Sequence, residues 1–324
     1  FFLILAPTSS FVPIITEVSA ERRVYLPLAA VVVLVVIGGE WILRKVFDRL
    51  WAKRPVSSFA CGGLTTVFVA LLGYGTIERN QDYRSAVTIW HDAVTHCPEN
   101  HTAHVNLGNA LLAIGEVDEA LRHYDTALKI KPDHAETHYN LANVLVDHQR
   151  LPEAIERYHD ALRIRPDYAE AHNNLGRALA MQDRLDEAVA HFTEALRLQP
   201  DYLEAHINLA TALAKLQRRD EAIAHFTAAL RIDSRSLTAR MGLADALLDE
   251  GAFPEAVTEY RKVLDLDPEH ADAHCNLGIT LAMQGRVAAA TEELREALRL
   301  QPDHPTARDA LNRILSDQSH TTPE

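Results

Sequence analysis

The stretch AEAHNNLGRALAMQDRLDEAVAHFTEALRLQPDY, Ala169 to Tyr202, decides the fold, because its pattern returns every 34 residues on either side. In that register Pro132, Pro166, Pro200, Pro268 and Pro302 share one column, and Leu107, Leu141, Leu175, Leu209, Leu243 and Leu277 share another. A fixed period of this length predicts stacked helical hairpins, each unable to bury its apolar face alone.

The other columns have physical reasons of their own. Gly108, Ala142, Gly176, Ala210, Ala244 and Gly278 are set to face Ala120, Ala154, Ala188, Ala222, Ala256 and Ala290, so that two helices approach closely because neither presents bulk. Tyr124, Tyr158, Phe192, Phe226, Tyr260 and Leu294 supply the large groups that fill the space between hairpins. Asp133 with Glu136, Asp167 with Glu170 and Asp201 with Glu204 have the spacing of a helix capping box. Pro152 and Pro254 suit the first turn of the second helix.

Leucine, small residue, small residue, aromatic, alanine and proline at these offsets resemble the tetratricopeptide repeat (TPR) over residues 101–304. The resemblance implies an all-α solenoid of about six full repeats, whose curved inner face binds another chain and which brings no catalytic constellation, metal or cofactor. Ala86, Trp90, Ala93 and Pro98 fall in the same columns, so 79–100 reads as a half repeat. Residues 305–316 are expected to form a capping helix, and 317–324 a disordered tail.

The net charge of −13 is unevenly placed. Residues 1–78 carry seven Lys or Arg against five Asp or Glu, leaving 25 against 40 for the rest of the chain, an acidic balance that argues against nucleic acid as a partner. The first part is also apolar. Val24 to Leu43 and Val56 to Ile77 are each long enough for a membrane helix, and Phe1 to Ala6 reads as the stub of another, with the chain as the carboxyl-terminal part of something longer. Arg44, Lys45, Arg49, Lys53 and Arg54 between the two runs predict a cytoplasmic loop. A multi-pass membrane protein with its repeats outside the cytoplasm, in a bacterial periplasm or an endoplasmic-reticulum lumen, is therefore expected.

Between these runs and the start lies PTSSFVPIITEVSAERRVYLPL, residues 7–28. Its Glu21, Arg22, Tyr25 and Pro27 resemble the AER…Y.P signature of the transmembrane and tetratricopeptide-repeat O-mannosyltransferases, which are lipid-phosphate-sugar-dependent enzymes. That resemblance implies that Arg22, with Glu21, meets a lipid phosphate, since guanidinium donates two parallel hydrogen bonds to phosphate oxygens. The acidic catalytic residues of that family lie upstream of anything present here, so the chain reads as the acceptor-binding arm of such an enzyme rather than the enzyme itself. A scaffold that assembles envelope proteins is the alternative.

Cys61 lies within the apolar run Val56 to Ile77, Cys97 precedes Pro98 and Cys275 is five repeats farther on, so they predict no disulfide. His134 with His138 and His270 with His274 are each a helical turn apart, but two ligands make a weak metal site. His104, His138, His172, His206 and His274 share one column, which points to packing.

Two residues later the same helices carry Asn106, Asn140, Asn174, Asn208 and Asn276. By resemblance to TPR arrays this column lies on the concave face, and it is similar to the asparagine ladder of the protein O-GlcNAc transferases. An amide accepts from a peptide N–H and donates to a peptide C=O. Helices about 8–10 Å apart match roughly three residues of extended chain, so a ladder of amides suits an extended polypeptide, with Glu136, Glu170, Glu204 and Asp272 one turn earlier making the groove acidic. The alternative is that the same amides only bridge neighbouring repeats and fix the superhelix, and the acidic turn on the same face favours the polypeptide. Arg240 and Gly242 break the pattern in the fifth repeat.

Overall fold

The computed structural model describes Lys45 and residues 85–321. The runs at 24–43 and 56–77, the stub at 1–6, and Glu21 and Arg22 lie outside the described residues. The expected multi-pass membrane location is corrected: among the described residues no helix is long and apolar enough to cross a membrane. The repeat helices are too short for it, since the longest has 17 residues and a span needs about 20 apolar ones.

The chain divides into two compact units, 1–130 and 131–324. In the first, α1 (Ala86–His96), α2 (His101–Ala113) and α3 (Val117–Ile130) pack in sequence, α1 on α2 and α2 on α3. Ser85 and Asn100 open α1 and α2 by accepting from the backbone N–H of Thr88 and Ala103, so each satisfies an orphan donor of its helix. Tyr124 of α3 is fully buried against Gly108 of α2, where an added Cβ would lie 3.0 Å from its ring.

The second unit holds the hairpins α4 (Ala135–Asp147) with α5 (Leu151–Ile164), α6 (Ala169–Met181) with α7 (Leu185–Leu198), α8 (Leu203–Lys215) with α9 (Arg219–Ile232), α10 (Leu237–Glu250) with α11 (Phe253–Leu266), and α12 (Ala271–Met283) with α13 (Val287–Leu300). Each second helix also packs on the first helix of the next hairpin, and α13 packs on the closing helix α14 (Pro305–Thr321). All described secondary structure is helical, as the repeat pattern requires. Ala154, Ala188, Ala222, Ala256 and Ala290 are fully buried, as are Ala142, Ala210 and Ala244 opposite them, so the close approach read from the small columns is what holds each hairpin. Pro152 and Pro254 sit in the first turns of α5 and α11, where a missing N–H costs nothing.

Two local expectations are corrected. The capping boxes do not form: α4, α6 and α8 start after His134, Tyr168 and Tyr202, with no side-chain cap. The two-residue turn formed by each proline and the aspartate after it uses up the aspartate before the helix begins, so its carboxylate stands one position too early. Second, α14 continues past Ser316 to Thr321, into the stretch expected to lack structure, because no proline or glycine interrupts 306–321.

Candidate functional site

Within the second unit the first helices of successive hairpins touch one another, α4 with α6, α6 with α8, α8 with α10 and α10 with α12, while the second helices stay farther apart. The first-helix side is therefore the inner side of this unit. Asn140, Asn174, Asn208 and Asn276 all lie on these helices and are half-buried. Asn106 holds the same helix position, also half-buried, in the first unit.

The amides do not stand as identical rungs. Asn174 donates from Nδ2 to Oδ1 of Asn143 at 2.9 Å and to the hydroxyl of Tyr139 at 3.1 Å, both on the preceding hairpin. Asn208 donates to Oδ1 of Asn173 at 2.9 Å, and Asn173 donates to Oδ1 of Asn174 at 3.2 Å. Three first helices are thus tied by one amide chain. Asn276 donates to Oδ1 of Asp245 at 3.0 Å. Asn106 and Asn140 make no side-chain hydrogen bond among the described residues, and neither Oδ1 of Asn208 nor Oδ1 of Asn276 accepts one there.

The acceptors of this network are aimed from below. Tyr158 donates its hydroxyl to Oδ1 of Asn143 at 2.6 Å, Tyr260 to Oδ1 of Asp245 at 2.6 Å and, in the first unit, Tyr124 to Oδ1 of Asn109 at 2.5 Å. Burial pushes the Tyr124 hydroxyl up to about 12 and raises that of Tyr260, with the Asp245 charge adding to it, so both stay protonated donors. Desolvation by the surrounding protein raises the Asp245 carboxyl, while the bonds from Tyr260 and Asn276 pull it back. Single-column reading missed Asn143, Asn173 and Asp245. A signal was present: tyrosine occupies the aromatic column where the residue fifteen positions earlier is Asn or Asp, and phenylalanine where it is Arg177 or Thr211.

The acidic residues are exposed. Glu136 Oε1 lies 3.6 Å from Nη2 of Arg165, whereas Glu170 and Glu204 make no ion pair among the described residues. The histidine column serves as a clip. His104, His138, His172, His206 and His274 each place Nε2 2.9–3.1 Å from the carbonyl of the proline six residues earlier. A carbonyl only accepts, so Nε2 carries the proton. Nδ1 of His104, His172 and His206 then accepts from Nδ1 of His123, His191 and His225 at 2.9–3.0 Å. For His274 the partner is a Glu293 carboxylate oxygen at 2.6 Å, which asks both of its nitrogens to donate. Arg240 makes the same two contacts, to the Ser234 carbonyl and to Glu259.

A family model described as Tetratricopeptide repeat matches residues 139–203, 182–236, 207–268 and 241–305, and one described as TPR repeat matches 108–149. Protein O-mannosyl-transferase TMTC1 of Homo sapiens is 33% identical over 120 residues, 36% of this chain and 12% of that protein. Its Mus musculus counterpart is 32% identical over 115 residues, again 36% of this chain and 12% of that protein. The chain thus matches about an eighth of the length of these curated relatives. Among solved structures, YrrB, described as a TPR protein with an unusual peptide-binding site, is 29% identical with a TM-score of 0.53, covering 58% of this chain and 97% of its own. PilF of Pseudomonas aeruginosa, at 23% identity and a TM-score of 0.57 over 66% of this chain and 97% of its own, shares the fold.

Proposed function

From the premise that the chain belongs to the tetratricopeptide repeat family and is a protein-interaction module, we propose that the inner face of residues 131–324 holds an extended polypeptide, as the acceptor-binding arm of a protein glycosyltransferase. The observation that carries this reading is the half-engaged amide. Asn208 and Asn276 spend Nδ2 on the preceding hairpin and keep Oδ1 for a backbone N–H of the bound chain. An acceptor already locked by its other end loses little freedom on binding. Asn140 keeps both groups, and Asn174 serves chiefly as the brace between its neighbours. Asn106 has the same chemistry within the first unit. Glu170 and Glu204, which make no ion pair among the described residues, and Glu136 give the face its preference for basic or Ser/Thr-rich segments over acidic ones.

The glycosyltransferase part of the proposal is supported by the likeness to protein O-mannosyl-transferase TMTC1, and the peptide part by the likeness to YrrB. The test is binding of a fluorescein-labelled Ser/Thr-rich peptide to the full chain, followed by anisotropy. Asn140→Ala is expected to weaken it roughly two- to tenfold, the net value of one hydrogen bond, without lowering the melting temperature. Loss of stability with unchanged affinity would make the column architecture alone.

A further inference from the structure

Gly242 occupies the position that asparagine holds in the other repeats of the second unit, and the phenyl ring of Phe226 lies against it. A Cβ built on Gly242 would stand 2.3 Å from Cζ and 2.4 Å from Cε1 of that ring. One repeat earlier the equivalent ring, Phe192, leans on Gly176 of its own hairpin, 2.7 Å from a Cβ built there to Cε1. Phe226 has Ala210 in that place. Each ring thus lies over the neighbour that lacks a Cβ.

With no side chain at 242, a hollow of about 470 Å³ opens on the inner side between α8 and α10. The equivalent hollow one repeat earlier, where Asn208 holds the position, measures about 230 Å³. The two sites are related by the repeat and differ at the rung, where Asn208 gives way to Gly242, and along the wall, where Arg177 gives way to Thr211, Met181 to Lys215, Thr211 to Asp245 and Lys215 to Asp249. Phe226 and Met241 give the larger hollow an apolar lining beside Gly242. Its edge carries Asp245 and Asp249, one helical turn apart on α10, and Lys215 on α8. Lys215 and Asp249 make no ion pair among the described residues, and Asp245 uses only Oδ1, for Tyr260 and Asn276.

We propose that this hollow is a side-chain pocket that takes a residue of leucine or phenylalanine size from the bound polypeptide, with a neighbouring Lys or Arg of that polypeptide set against Asp245 and Asp249. The inference rests on the peptide-binding reading above, because the hollow opens onto the face assigned there to an extended chain. The missing amide becomes the place where sequence is read. Elsewhere the asparagines meet backbone, which every polypeptide shares. Here an apolar cavity discriminates by size and two carboxylates by charge.

The probes are three fluorescein-labelled Ser/Thr-rich peptides that differ at two adjacent central positions, Leu-Lys, Ser-Lys and Leu-Glu, measured against the full chain. Leu-Lys should bind tighter than Ser-Lys by about tenfold or more, the transfer value of one buried leucine, and tighter than Leu-Glu. Ala214→Leu, which fills the hollow from its wall at a half-buried helix position, and Gly242→Asn, which restores the rung, should each remove the preference for Leu. Asp249→Lys should turn the preference for Lys into one for Glu. Thermal melts of the variants establish that they fold. Equal binding of all three peptides overturns the pocket and leaves the peptide-binding face standing, whereas binding of none removes both. A preference for Leu that survives in folded Ala214→Leu also overturns it.

Discussion

His172 and His191 meet nitrogen to nitrogen, Nδ1 to Nδ1 at 3.0 Å, while the other nitrogen of His172 is fixed on the Pro166 carbonyl at 3.1 Å. Burial first, then His172 and His159, lowers the His191 pKa to about 4, against the weaker pull of Glu187 and Glu194. His123 and His225 are lowered likewise, chiefly by burial and then by His104 and His206. A histidine whose folded pKa lies below its unfolded value takes up its proton more readily in the unfolded chain. Its contribution is therefore complete above about pH 6.5 and is lost as the pH falls toward 4. The melting temperature should drop by roughly 5 °C or more between pH 7.5 and pH 4.5. Carboxylates titrate in the same window, so the decisive comparison is His191→Gln: its melting temperature should fall less over that range, and equal slopes would remove the pair from the account.

The turns between the two helices of each hairpin contain a second uneven column. Gly115, Gly251 and Gly285 adopt φ of 83°, 85° and 76°, and the equivalent Gln149, Asp183 and Gln217 adopt 59°, 61° and 61°. The left-handed region costs a residue with a Cβ about 1 kcal/mol or more relative to glycine, partly offset by the greater freedom of an unfolded glycine. Gln149→Gly and Gln217→Gly should each stabilise by about 0.5 kcal/mol in urea titration. Asp183→Gly should gain less, because aspartate tolerates this region better. The sites are a repeat or more apart and should add.

Tyr158 donates to Asn143 while Asn174 donates to the same oxygen, so one hydroxyl sets the geometry of a contact between hairpins. Tyr158→Phe is expected to cost about 1 kcal/mol, measured by chemical denaturation. Part of that cost should vanish in an Asn174→Ala background if the two bonds are coupled, and a double-mutant cycle with no interaction energy would deny the coupling.

The stack was legible in the sequence because its causes lie within single columns. Ala188 opposite Gly176 and Phe192 over both are readable from residue size and a fixed spacing. The network was not, because its contacts cross columns: Asn208 finds Asn173, thirty-five residues back, and Asn276 finds Asp245, thirty-one back. Nor was the start of α4. Asp133 has the right spacing to Glu136, but the Pro-Asp turn leaves it outside the helix, and only backbone geometry shows that offset. The membrane reading rested on hydropathy in residues 1–78, apart from the repeats whose geometry is described.

Gly176 and Phe192 form the tightest of the contacts within a hairpin that glycine permits, and they can be separated by mutation. A Cβ at 176 would lie 2.7 Å from Cε1, 2.8 Å from Cδ1 and 3.0 Å from Cζ of a ring that is itself 1% exposed. The ring has little room to retreat, so Gly176→Ala should cost about 1–3 kcal/mol, as overpacking does, even though alanine is the better helix former by about 1 kcal/mol. Phe192→Leu alone should cost about 1 kcal/mol or more through lost volume. In Gly176→Ala with Phe192→Leu the smaller side chain makes space for the methyl, and the pair should be more stable than the sum of the single losses by about 1 kcal/mol. Gly108→Ala is the control in the first unit, where the nearest ring atom of Tyr124 lies 3.0 Å away, and it should cost less than Gly176→Ala. Equal costs at the two glycines would mean that the ring yields freely, and that the glycine column reflects helix approach rather than the aromatic packed on it.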